Sequence, residues 1–111
     1  MKPMRFGPRR EAGTMNKTEA QYAQHLELMK RDGKIIFYQY EGITLHLAKK
    51  TSYRPDFVVQ LPDGIIEMHE VKGYWQDDAR VKIKVAASIW PMVFRAVTKS
   101  KTGWQYEEIG A

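Results

Sequence analysis

The sequence predicts an α/β (α+β) fold: helix, three strands, helix, then one or two strands, arranged around a central mixed sheet. Three observations predict it. Asn16 to Asp32 and Asp77 to Trp90 each carry apolar residues at helical spacing. Between and after them lie short stretches rich in Ile, Val, Phe and Tyr, separated by Glu41-Gly42 and Pro62-Asp63-Gly64. The chain has 111 residues, 43% of them hydrophobic, which is enough for one domain with one core.

Composition narrows the function classes. There is no cysteine, which excludes a disulfide framework and a thiolate metal site and fits a reducing cytoplasm. No apolar run is long enough to span a bilayer, and the basic N-terminus lacks the apolar segment of a signal peptide. The formal charge is +5. A small basic domain points to a polyanionic partner, nucleic acid first among them.

Residues 1–14 are expected to form a basic, flexible arm, and residues 15–111 a single domain. Lys2, Arg5, Arg9 and Arg10 stand among Pro3, Gly7, Pro8 and Gly13, a composition that buries little and is punctuated by breakers. The arm reads equally as a phosphate contact, through Arg9 and Arg10, and as a solvated terminus.

The first helix has Asn16 as N-cap, Glu19 three residues on in a capping-box pattern, and Asp32-Gly33 as its stop. Glu19, Tyr22, Leu26 and Met29 share one face. Glu19 therefore has two readings: it caps the helix, or it projects from the buried face toward a partner elsewhere. Lys34 to Glu41 reads as a strand and Glu41-Gly42 as a turn. Ile43, Leu45 and Leu47 then alternate with Thr44 and His46, as a half-buried strand should. His46, on the polar phase, reads as a surface histidine. Lys49-Lys50 reads as a solvated loop pair and a candidate phosphate contact.

The chain is organised around Tyr53 to Trp75, a strand, a tight turn and a second strand. Pro55-Asp56 opens the first strand and Glu70-Val71-Lys72 closes the second. Side chains alternate along a strand, so Glu70 and Lys72 point the same way, and Glu67 and His69 the other way. Whether Asp56 joins Glu70 depends on the loop. A two-residue Pro62-Asp63 loop sets Asp56 against His69, on the wrong face. A three-residue Pro62-Asp63-Gly64 loop sets it against Glu70. Three-residue loops commonly end on glycine in the left-handed region, so the longer loop is expected.

Gly73 lets the chain turn after the second strand, and Trp75 reads as an aromatic packed at the helix entrance. In the second helix Asp77 and Asp78 offer the N-cap. Ala79, Ile83, Ala86 and Trp90 form the apolar line, Arg80 and Lys84 lie four apart on a neighbouring line, and Pro91 ends the helix. Met92 to Thr98 reads as a strand, Lys99 to Gly103 as a turn, and Trp104 to Ile109 as a last strand.

Two carboxylates meeting across a hairpin repel each other unless a positive charge lies between them. Their oxygens suit a hard cation such as Mg²⁺, or Mn²⁺ in its place. Such an ion polarises a phosphodiester and lowers the pKa of a bound water. Lys72 is placed to orient the water and to stabilise charge on the phosphate. Glu19 would supply a third acidic group, directly or through water. The bland alternative is an exposed Asp and a Glu–Lys pair on a wet sheet face. The apolar residues Phe57, Val58, Val59, Ile65, Ile66 and Met68 argue instead for an interior hairpin, where unpaired charge is costly.

Glu19, then Arg54-Pro55-Asp56, then Glu70-Val71-Lys72 resembles the signature of the PD-(D/E)XK nuclease superfamily. The element order over about residues 16–98 also resembles that family's core. Arg-Pro-Asp-Phe and Glu-Val-Lys-Gly, with the early glutamate and the compact size, look most like small phage-encoded endonucleases. Among these are junction-resolving enzymes of the phage endonuclease I type. The resemblance implies a restriction-endonuclease-like core and metal-dependent hydrolysis of DNA phosphodiesters. It further implies Asp56 and Glu70 as metal ligands, Lys72 as the catalytic lysine and Glu19 as the accessory acid. In that family, basic residues on the helix after the lysine meet DNA, and Arg80 and Lys84 match them here.

The expected partner is DNA, with branched or junction DNA among its expected forms, and symmetrical cutting of two strands favours a homodimer. Two other functions remain in competition. One is a non-catalytic nucleic-acid-binding protein that retains the fold. The other is a nuclease subunit dependent on a recognition partner.

Overall fold

A computed structural model describes residues 14–73 and 77–110. The basic arm with Arg9 and Arg10, and Tyr74 and Trp75, lie outside the described residues, as do the side chains of Asp77, Asp78 and Ala79. Helix α1 spans Lys17–Arg31. Asn16 Oδ1 accepts the Glu19 N–H at 2.8 Å, and Glu19 Oε1 accepts the Asn16 N–H at 3.0 Å, which completes the capping box. Gly33, at φ +77°, takes the left-handed conformation that ends the helix.

Strands β1 (Phe37–Tyr40), β2 (Leu45–Ala48), β3 (Thr51–Tyr53), β4 (Phe57–Gln60) and β5 (Ile66–Lys72) follow. Helix α2 (Asp77–Ile89) and strands β6 (Val93–Ser100) and β7 (Gly103–Ile109) complete the described chain. The main sheet has the order β1-β4-β5-β6-β7. Only β5 and β6 pair in parallel, joined by α2; the other neighbours are antiparallel. The fold is thus α+β with a mixed five-stranded sheet and two helices.

Two sequence expectations need correction. Five strands, not three, separate the helices, because β2 and β3 pair with each other as a separate two-stranded sheet. Lys50 at φ +60° reverses the chain between them. Leu45 and Tyr53 then pack with Ile83 and Ala86 of α2 rather than joining the main sheet, while Ile43 lies outside β2 and is exposed. Secondly, β6 continues through Ser100, so the turn to β7 is shorter than Lys99 to Gly103.

The sheet carries a core on each face. Val58, Met68, Phe94 and Ala96 pack with Ile83 and Ala86 of α2. Phe57, Val59, Val71 and Val97 pack under Tyr22 and Leu26 of α1. Between β4 and β5 the Leu61 N–H donates to Ile65 O at 2.9 Å, and the Gly64 N–H to Leu61 O at 2.9 Å. Gly64 sits at φ +94°, a conformation that L side chains rarely adopt. The loop is therefore the three-residue one, and Phe57 pairs with His69 and Val58 with Met68. One step further along this register, Asp56 falls opposite Glu70.

Candidate functional site

Asp56, just before β4, and Glu70 and Lys72, on β5, share the sheet face that α2 covers. Asp56 Oδ2 accepts the Val71 N–H at 2.8 Å, and the Asp56 N–H points to Glu70 Oε1 at 3.3 Å. Tyr53 donates its hydroxyl to Glu70 Oε1 at 2.6 Å, and Lys72 Nζ lies 3.4 Å from Glu70 Oε2. Asp56 and Glu70 are 6% and 8% exposed, so two adjacent carboxylates are buried against one half-exposed lysine. Burial, then the Glu70 charge, pushes Asp56 up to about 8; Glu19 adds to the rise, and Lys72 and the Val71 N–H oppose it. Burial also raises Glu70, against the opposing bonds from Tyr53 and Lys72.

Both readings of Glu19 hold. It closes the capping box, and it lines the same cleft as Asp56, Glu70 and Lys72. Helix α1 packs on the other face of the sheet, but its N-terminus reaches the cleft at the sheet's end. Tyr40 donates to Glu19 Oε1 at 2.9 Å. Among the described residues every bond to this carboxylate falls on Oε1.

The cleft measures about 410 Å³ and is also lined by Asn16, Glu41 and Arg54. Tyr53, Tyr40 and Glu41 are the members that sequence reasoning missed. The only signal for Glu41 was its acidity, and its place in a turn hid it. The β1–β4 register puts it beside Asp56, whose carbonyl accepts the Glu41 N–H at 2.7 Å. Its carboxylate lies 3.9 Å from Arg54 Nη1.

The expected DNA contacts fall in different places. The Arg80 guanidinium forks onto Glu107 of β7, at 3.3 Å from Nη1 and 2.8 Å from Nη2. Lys84 is exposed on α2, and its charge also bears on Glu107. Lys49 and Lys50 form the exposed turn between β2 and β3. His46 is exposed on β2, as expected. Glu67 and His69 point to the α1 face and bond each other there, away from the cleft.

No protein-family model, curated protein or solved structure matches this chain. Among the described residues no helix is long and apolar enough to cross a membrane.

The donor set itself bears on which cation fits. It is oxygen-only and buried, and burial pushes Asp56 and Glu70 above the usual carboxylate range. That suits a hard divalent ion over a soft one. Among the described residues no three His, Asp or Glu side chains are grouped to hold an ion alone. The fit is therefore to an ion that takes one or two carboxylates and completes its shell with water and phosphate oxygens, as Mg²⁺ commonly does.

Proposed function

We propose that the chain is a Mg²⁺-dependent DNA endonuclease of the PD-(D/E)XK kind with a restriction-endonuclease-like core. It acts selectively on branched or junction DNA. The observation that carries this reading is the pairing of Asp56 with Glu70. The two are buried on one face, short of positive charge, with Lys72 beside them and Glu19 arriving from α1. A fold has no stability reason to bury two neighbouring carboxylates, and the need for a cation is the economical explanation.

Asp56 and Glu70 would hold the ion directly, and Glu19 through water. When bound, the ion polarises the phosphodiester and lowers the pKa of a water. Lys72, now 3.4 Å from Glu70 Oε2, donates a hydrogen bond to a phosphate oxygen as negative charge grows there. Tyr53 and the Asp56 N–H keep Glu70 Oε1 in place. Lys84, Lys49, Lys50 and the arginines of residues 1–14 supply phosphate contacts, while Arg80 shares its guanidinium with Glu107.

The test is cleavage of a panel of duplex, forked and four-way-junction DNA with Mg²⁺ or Mn²⁺. Wild type cuts and Asp56→Asn does not; equal cutting by both removes Asp56 from the chemistry. One observation favours a second reading. The described residues lack a three-carboxylate cluster, as suits a DNA-binding protein that has the fold without the activity, or a nuclease subunit completed by a partner. Junction binding that is unaffected by EDTA, with no cleavage of any substrate, selects the binding protein.

A further inference from the structure

The face of the sheet turned away from Asp56 holds a second polar assembly that DNA cleavage does not use. Glu67 and His69 alternate with Met68 and Glu70 on β5, so the pleat sends them toward α1. They are 6% and 4% exposed. His69 Nε2 lies 2.9 Å from Glu67 Oε1, and His69 Nδ1 lies 2.7 Å from the Tyr22 hydroxyl. The Tyr22 hydroxyl reaches that of Tyr106 at 3.1 Å, which stands 3.3 Å from His25 Nε2. Arg95 of β6 holds the other oxygen of Glu67, at 3.3 Å. Packing alone does not call for this polarity, because Phe57, Val59, Val71 and Val97 fill the same layer with carbon.

The assembly borders a half-open cavity of about 330 Å³, near the lower end of the roughly 300–1,000 Å³ of small-molecule sites. Leu26, Ile35, Val59 and Leu61 make much of its wall apolar. The charges on the wall are Lys34, Arg95 and Glu67; Arg95 lies 3.3 Å from Glu67 and 3.8 Å from Glu108 outside the wall, so Lys34 carries the surplus positive charge. Glu67 is already engaged by His69 and Arg95. Lys34 has no acidic partner among the described residues; burial first, then His69 and the Lys34 charge, hold His25 below the usual histidine range. Arg95 Nε is sealed from water without an acceptor, the one such side-chain atom among the described residues. A surplus positive charge and an unmet donor beside apolar walls define their complement: a single negative charge with acceptor oxygens on an apolar body.

We propose that this cavity binds a small organic acid, one carboxylate on an apolar body of on the order of ten heavy atoms, with Lys34 and Arg95 taking the carboxylate. A small turn of the Arg95 side chain gives Nε–H the acceptor it lacks. A phosphate monoester, doubly charged, leaves one negative charge uncompensated, and a long-chain lipid exceeds the volume. The site owes nothing to the nuclease reading, since it uses the other face of the sheet.

The test is an NMR titration of the full chain with octanoate and 2-naphthoate, each beside its uncharged primary amide and its amine. The acids give saturable shifts around α1 and β6, the amides bind about tenfold more weakly, and the amines do not bind. Lys34→Gln weakens the acids about tenfold and leaves the amides unchanged. Leu61→Trp fills the cavity and abolishes binding, with circular dichroism confirming the fold; Leu61→Phe serves if the larger side chain prevents folding. No saturable binding of either acid up to about 10 mM overturns the proposal. Equal binding of acid, amide and amine overturns it too, because it marks an apolar gap without charge selection.

Discussion

Glu67 and Glu70 lie three residues apart on one strand and are almost equally buried, yet their acidities move in opposite directions. The hydrogen bond from His69 leads in holding Glu67 below the usual carboxylate range, and Arg95 adds to it. Burial pushes Glu70 above that range, although Tyr53 and Lys72 resist. The pleat makes the difference: Glu67 faces α1, where the fold supplies its counter-charges, and Glu70 faces a second carboxylate. A buried charge is thus a poor marker of function on its own. The informative feature is a buried charge whose compensation is missing.

The contrast breaks hardest at Asp56. Asp56→Asn keeps an acceptor for the Val71 N–H and removes a carboxyl that must take up a proton or repel Glu70 to stay buried. It is expected to lower Mg²⁺-dependent cleavage by about 10³-fold or more. In EDTA the same variant gains stability, with Tm rising by about 5 °C in a thermal melt. Glu67→Gln inverts the pattern. It leaves Arg95 and His69 short of a partner, and urea unfolding should show a loss of about 2–4 kcal/mol. Cleavage per folded molecule stays at the wild-type level. A stabilising Glu67→Gln or a destabilising Asp56→Asn erases the distinction between the two faces.

The parts of this contrast that sequence could carry are the local ones. Gly64 needs a left-handed backbone, which fixes the loop, the register and the meeting of Asp56 with Glu70. Alternation then sends Glu67 and His69 to the other face. Non-local pairing is harder to read. Thr51 to Tyr53 is too short to show a pattern of its own, so the split of β2 and β3 from the main sheet left no trace in the chain. The bond from Tyr53 to Glu70 depends on where that small sheet docks, as the place of Glu41 depends on β1 lying against β4. Glu19 was legible in both its roles because a helix N-terminus can be capped and still face a neighbour.

Acidity sharpens the contrast further. Asp56 in the folded chain titrates near 8 against an ordinary 3.8. Between those values the folded state holds a proton that the unfolded chain has released, so stability in EDTA falls as pH rises from about 4 to about 8 and then levels. Glu67 has the opposite sign: its contribution is complete above the ordinary carboxylate range and is lost as pH falls through its depressed value. Urea unfolding across this range should show the neutral decline in wild type and a flatter limb in Asp56→Asn. A wild-type curve without the decline removes the charge strain assigned to Asp56.

Adding the proposed cation gives a smaller effect of the same origin. With Mg²⁺ at about ten times its dissociation constant, stability at neutral pH rises by about 1.4 kcal/mol. Asp56→Asn loses most of that gain, while Glu67→Gln keeps it. Thermal melts with and without Mg²⁺ make the comparison, and an equal gain in all three proteins places the ion elsewhere.

The finest division lies between holding the ion and holding its ligand. Tyr53 touches Glu70 through one hydroxyl, at 2.6 Å, from the edge of the small sheet. Tyr53→Phe removes that bond and little else, since the ring stays packed with Leu45 and Ile83. Among the described residues Glu70 then keeps only the Asp56 N–H and Lys72 to fix its orientation. A supporting residue of this kind changes affinity for the ion more than the chemistry that follows. The Mg²⁺ concentration for half-maximal cleavage should rise by about tenfold, with the rate at saturating Mg²⁺ close to wild type. An unchanged midpoint reduces Tyr53 to packing; a lost rate at saturation moves it from positioning Glu70 to the reaction itself.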